Sequence, residues 1–291
     1  MGITSVDRTP LYCSNDKLRY LLELTNNLDY IATGILSGDL DKMLLISHET
    51  NEKEKCQFYE KDDIIYLVYG QFPDKKGKWI LEQMAYYFSE LTHDKDINNL
   101  EKLESHEIEL EFKRRTKFIL QEYLRLQEVF TDEDLGYVED SLRIDYLGLS
   151  SMSIGVISLL LGNELNVEVA GEVDPDEELE MKESSLTARV EAIAANTQGN
   201  TGAIPRWIAV RLGFQHYRFL TFKKYENNFF MYLLSEGNLE KLEKVEELLN
   251  PYVDPVVKNP FSGNLKPFNE LRATLRNNLK QRRKFPPFKF D

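Results

Sequence analysis

Apolar and polar positions recur along this chain in blocks that read as successive strands and helices. Two short extended pieces, "GITSVD" and "TPLYCS", come first, with a turn at Asp7-Arg8 between them. Asn15 and Asp16 stand where a helix cap belongs, ahead of "DKLRYLLELTNNL", whose Leu18, Leu21, Leu22 and Leu24 form an apolar stripe. Strands are predicted at about 42–48, 55–60 and 64–70, the last nearly all apolar, as a strand buried on both faces is. Pro73 and Gly77 punctuate the exit. From near Lys78, the spacing of Trp79, Ile80, Met84, Tyr87, Phe88 and Leu91 predicts a helix. A longer helix is predicted from about Glu104 to Phe130, with Ile108, Phe112, Ile119, Tyr123, Leu126 and Phe130 on one face.

"TDEDLG" (131–136) reads as a boundary, with Thr131 able to cap a short turn that Gly136 ends. Beyond it, "SMSIGVISLLL" (151–161) alternates like a strand, and Gly162-Asn163 predicts a tight turn into a second strand, "ELNVEVAGE". Pro175 opens a helix on Leu179, Leu186, Val190 and Ile193 that stops in "ANTQGNTGA". Strands at about 206–211, 216–223 and 228–235 follow, then a helix capped by Asn238 and ended by Pro251. Each half therefore reads β-β-α-β-β-β-α, and the first carries one extra helix. A local echo falls at the same place in that order. Laid without gaps, "YEKDDIIYLV" (59–68) meets "YENNFFMYLL" (225–234), matching Tyr66 to Tyr232. Order and echo together predict an internal duplication.

Composition leaves this picture globular. Hydrophobic residues at 42% exclude a disordered chain, and no apolar run reaches the roughly 18–20 residues that cross a bilayer. The first residues lack a signal-peptide pattern, and Val6 breaks the myristoylation motif. Cys13 and Cys56 are too few for a disulfide framework and are expected to be reduced, which places the chain in the cytoplasm. A net charge of −13 argues against nucleic acid and against broad binding to anionic lipid. The charge is uneven: "EVDPDEELEMKE" (172–183) is acidic, and the chain from Lys266 onward is basic, ending in "KQRRKFPPFKF" and Asp291. Such runs are usually solvated faces, and a basic helix docked on the chain's own acidic body is the plainer expectation. The sharper alternative makes the tail a partner-binding or anionic-surface segment. There Arg282, Arg283 and Lys284 contact phosphates or carboxylates while Phe285, Phe288 and Phe290 insert.

Chemistry is sparse. No two of His48, His93, His106 and His216 stand at i, i+3 or i+4, and CxxC, HExxH and DxDxDG are all missing. Ser150-Ser151 with His216 would suggest a hydrolase, but a G-x-S-x-G elbow is lacking. "NTQGNTGAIPRW" (196–207) holds no phosphate-loop pattern and precedes a strand. No catalytic residue, metal or cofactor is expected.

The element order resembles that of longin domains and the related roadblock domains. "FYEKDDIIYLVYGQFPDKKGKWILEQMAYYFSEL" (58–91) resembles the longin strand–turn–strand–helix segment, and "LTFKKYENNFFMYLLSEGNLEKLEKVEELL" (220–249) its roadblock or longin counterpart. The resemblance covers about 1–130 and 141–253. It implies an α/β (α+β) fold of two profilin-like domains, each a five-stranded antiparallel sheet with helices packed on it. Their bounds would be 1–135 and 136–255, followed by a basic helix or tail at 256–291. It further implies a non-catalytic scaffold that regulates or adapts a Ras-like small GTPase in a trafficking or signalling assembly. Its partner would be that GTPase or another longin/roadblock protein, with membrane contact at most peripheral. A small-molecule ligand-sensing α/β module is the alternative.

Overall fold

In the computed structural model, Asn15 caps the first helix from the position its sequence marks, its Oδ1 accepting from Leu18 N at 3.0 Å. The structure describes residues 1–5, 10–47, 50–93, 95, 97, 102–126, 142–151, 154–169, 174–281 and 284–285. The first part of the chain forms β1 (Gly2–Ser5), β2 (Pro10–Cys13), α1 (Asp16–Tyr30), β3 (Asp39–Ser47), β4 (Lys53–Lys61), β5 (Ile64–Gly70), α2 (Asp74–Thr92) and α3 (Lys102–Arg125). The second forms β6 (Leu142–Ser151), β7 (Ile154–Leu160), α4 (Pro175–Thr201), β8 (Ala203–Gly213), β9 (His216–Lys224), β10 (Phe229–Gly237), α5 (Leu239–Val257), α6 (Lys266–Gln281) and β11 (Lys284–Phe285).

All strands join one antiparallel sheet in the order β2-β1-β5-β4-β3-β8-β9-β10-β6. Beyond β6, its outer side pairs β7 along Tyr146–Ser151 and β11 at Leu142 and Arg143. Counted outward from the β3–β8 seam, each half places its third, fourth, fifth, first and second strands in turn. Helices α1 and α4 pack side by side on one face, over a core that includes Leu22, Leu28, Leu67, Val190, Ile208 and Tyr232. The opposite face carries α2 and α3 over β1, β2 and β5, and α5 and α6 over the second half. The fold class is thus mixed α/β around a single large antiparallel sheet, with six α-helices among the described residues.

Several boundaries differ from expectation. The second half begins its sheet with Leu142–Ser151, not at 151, and "ELNVEV" (164–169) is irregular chain whose Leu165 and Val167 join the core under α1. Arg143 and Asp145 hid β6 by interrupting its apolar positions. In the sheet they satisfy each other at 2.7 and 3.1 Å, and Asp145 is a fully buried bulge residue. Helix α2 starts one turn early, at Asp74. Helix α5 runs through Pro251 and Pro255 to Val257, because both prolines lie on its exposed side. There, water can serve the carbonyls that proline leaves without a partner. The "TDEDLG" boundary lies outside the described residues.

The tyrosine echo is also corrected. β5 and β10 do hold the same central place in their halves. The β4–β5 turn, however, has two residues, Asp62 and Asp63, both at positive φ, whereas Tyr225 N bonds Phe229 O across three. That extra residue shifts the register by one, so Leu67, not Tyr66, is Tyr232's counterpart. Tyr66 packs under α2, and Tyr232 under α4. A one-residue slip exchanges the faces of a strand.

Candidate functional site

Both seam strands carry a bulge. Pairing passes from Leu40–Val210 to Lys42–Ala209, leaving Asp41 extra on β3, and from Leu44–Trp207 to Leu45–Pro205, leaving Arg206 extra on β8. A bulge re-aims side chains, and here each one brings a charged residue to the face that bears α2 and α5. Arg206 is answered by α5: its Nη2 donates to Glu246 at 2.9 Å and to Glu243 at 3.4 Å, and its Nη1 to the Phe222 carbonyl.

Asp41 has a different setting. It is nine-tenths buried, accepts a hydrogen bond from the Tyr217 hydroxyl, and makes no ion pair among the described residues. Burial pushes its carboxyl above the ordinary range, against the pull of Lys42 and Arg211. The neighbouring Lys42 is buried and pairs with Asp74 at 3.1 Å, and Lys55 closes on the other oxygen of Asp74 at 2.9 Å. This triad ties the start of α2 to β3 and β4.

Asp41 and Lys42 lie at the floor of a groove of about 800 Å³ between α2 and the β8–β9 turn. Gln57 shares the floor; it is buried, and its Oε1 has no hydrogen-bond partner. Lys75 and Lys78 line one wall from α2, and Arg211 the other. Phe214 stands at the lip, 84% exposed, held out by a turn in which Gln215 takes φ 52°. Such a concave site with convergent polar groups suits binding of a small ligand.

The residues singled out from sequence do not converge on this groove. Lys284 and Phe285 form β11, whose backbone pairs with β6 at the far edge of the sheet, while Arg282, Arg283, Phe288 and Phe290 lie outside the described residues. The acidic run and the basic helix do meet. Glu183 is buried, accepts from Leu160 N at 2.9 Å and from Arg276 at 3.0 Å, and also binds Arg272. Ser150 bonds the Tyr232 hydroxyl at 2.8 Å, near one end of the strands. His216 bonds Glu236 at the other end, so the two form no dyad. The glycine-bearing segment is the last turn of α4 and the start of β8, with Gly202 at φ 67° between them. Among the described residues no group of His, Cys, Asp and Glu is placed to hold a metal, both cysteines are free, and no helix is long and apolar enough to cross a membrane.

The chain matches no protein-family model, and no curated protein is significantly similar to it. The groove therefore rests on its own geometry. Sequence reasoning passed over it because a bulge is a property of pairing. The only visible signal was "DLDK", two acids and a lysine opening an otherwise apolar strand.

Proposed function

We propose that the chain is a non-catalytic binding platform made of two longin/roadblock-like halves, acting as a regulator or adaptor of a Ras-like small GTPase. The observation that carries this reading is the doubled strand order joined at β3 and β8. A lone five-stranded sheet of this order leaves its third strand as an open edge, and the families it resembles pair with a second copy. Within one chain, each half closes the other's edge, and an edge so closed no longer templates aggregation. In this reading the first half spans 1–135, the second 136–255, and 256–291 is the basic C-terminal helix and tail.

Titration of the purified chain against Ras-like GTPases loaded with GDP or GTP tests it. A nucleotide-dependent difference in affinity is expected, and equal or absent binding across the set would remove the regulatory role. The groove at the seam favours a second reading, a ligand-sensing module.

A further inference from the structure

We propose that the seam groove binds a small polyanion of the phosphate class, with Phe214 offering a stacking face to a planar group on the same ligand.

The charge pattern is the first support. In a chain of net charge −13, Lys75, Lys78 and Arg211 gather around one concavity. Lys75 and Lys78 stand one turn apart in the first turns of α2, exposed, with no ion pair among the described residues. Arg211 reaches only Asp39, at 3.5 Å between two exposed side chains, an attraction that water and salt largely screen. Cations held around a low-dielectric cleft focus their field on it, which raises the local concentration of anions.

The second support is the contrast with the other bulge. Arg206 sits at the corresponding feature of β8, and Glu243 and Glu246 neutralise it. The fold can thus cancel charge at the seam, and on the groove side it leaves Lys75 and Lys78 without an ion pair among the described residues and Arg211 held only by the exposed Asp39, beside the carboxylate of Asp41.

The third is the floor. Gln57 is 5% exposed and its Oε1 is unpartnered. The volume, about 800 Å³, lies within the range of roughly 300–1,000 Å³ usual for small-ligand sites. Phe214 at the rim is a large apolar side chain that packs on nothing in its own half of the sheet's cores. Rings so placed stack on flat partners. The inference holds whether or not a GTPase binds elsewhere.

Isothermal titration of the full chain with inorganic pyrophosphate, ADP and adenosine tests the proposal. Saturable binding of pyrophosphate, tighter binding of ADP and none of adenosine are expected. Lys75→Glu with Lys78→Glu should weaken both anions by about tenfold or more, the scale of lost charge-assisted hydrogen bonds. Phe214→Ala should weaken ADP towards pyrophosphate and leave pyrophosphate unchanged. Asp41→Asn, which removes a carboxylate from the groove floor, should bind pyrophosphate at least as well as the parent chain. Unchanged melting curves show that each variant is folded. No saturable heat with either anion at millimolar concentration overturns the anion site, as does a folded Asp41→Asn chain that loses binding. Capture of a polyglutamate peptide with neither small anion binding would assign the groove to a protein partner instead. Equal affinities for ADP and pyrophosphate would overturn the stacking role of Phe214.

Discussion

Glu236 shows how single side chains fasten this sheet. Its carboxylate takes Arg143 from β6 at 2.5 Å and Arg218 from β9 at 3.1 Å, and His216 lies 3.0 Å away. Arg218 also donates to the Leu36 carbonyl, which anchors the end of the α1 segment to the sheet. Burial works to raise the Glu236 pKa, but Arg143 and Arg218 outweigh it and hold the group below the usual carboxylate range. A folded-state pKa below the unfolded one contributes stability that is complete above about pH 5 and lost as pH falls through the folded value. Glu236→Gln is expected to cost about 2 kcal/mol at neutral pH in denaturant unfolding. The gap to the parent chain should shrink as the pH drops below about 4. A gap independent of pH would mean that packing, not charge, carries the effect. Of these contacts, none was legible in sequence, since they join residues 93 and 18 positions apart.

At the level of elements, α2 and α6 show packing overriding local preference. Gly77 lies inside α2, where alanine ordinarily adds about 1 kcal/mol. A Cβ there would stand 2.1 Å from Gln57 Oε1 and 2.4 Å from the Phe72 ring. Gly77→Ala is therefore expected to lower the melting temperature, and less so in a Gln57→Ala background. Helix α6 is held by Glu183 through Arg272 and Arg276, and by Phe268, Leu271, Leu275 and Leu279 in the core. Glu183→Gln leaves two arginines half-buried without their carboxylate, a loss of about 3 kcal/mol. Hydrogen exchange should then quicken across α6 before it does in β8 or β9. Helix caps, apolar stripes and most strands were readable beforehand because they depend on neighbours a few residues away. The position of β6 was not, because its charged residues are neutralised only by partners across the sheet.

For the molecule as a whole, the β3–β8 seam and the core beneath α1 and α4 make the two halves mutually dependent. Opening the seam alone would free two strand edges. Residues 1–135 and 136–291, produced separately, are expected to associate one to one when mixed, with size-exclusion and circular dichroism as readouts. Two fragments that stay monomeric and well folded apart would argue against a shared core. For the same reason the intact chain should unfold in one cooperative transition.

By itself, the sequence determined most of the strands and helices, the caps at Asn15 and Asn238, and that the order repeats. Those properties follow from local periodicity, which a strand or helix expresses wherever it is placed. Tertiary structure alone decided that the two halves share one sheet, that the tyrosine echo is out of register by a residue, and that the seam bulges bring Asp41 to the floor of a basic groove. Each depends on which strand lies beside which, and pairing between distant segments leaves no period in the chain.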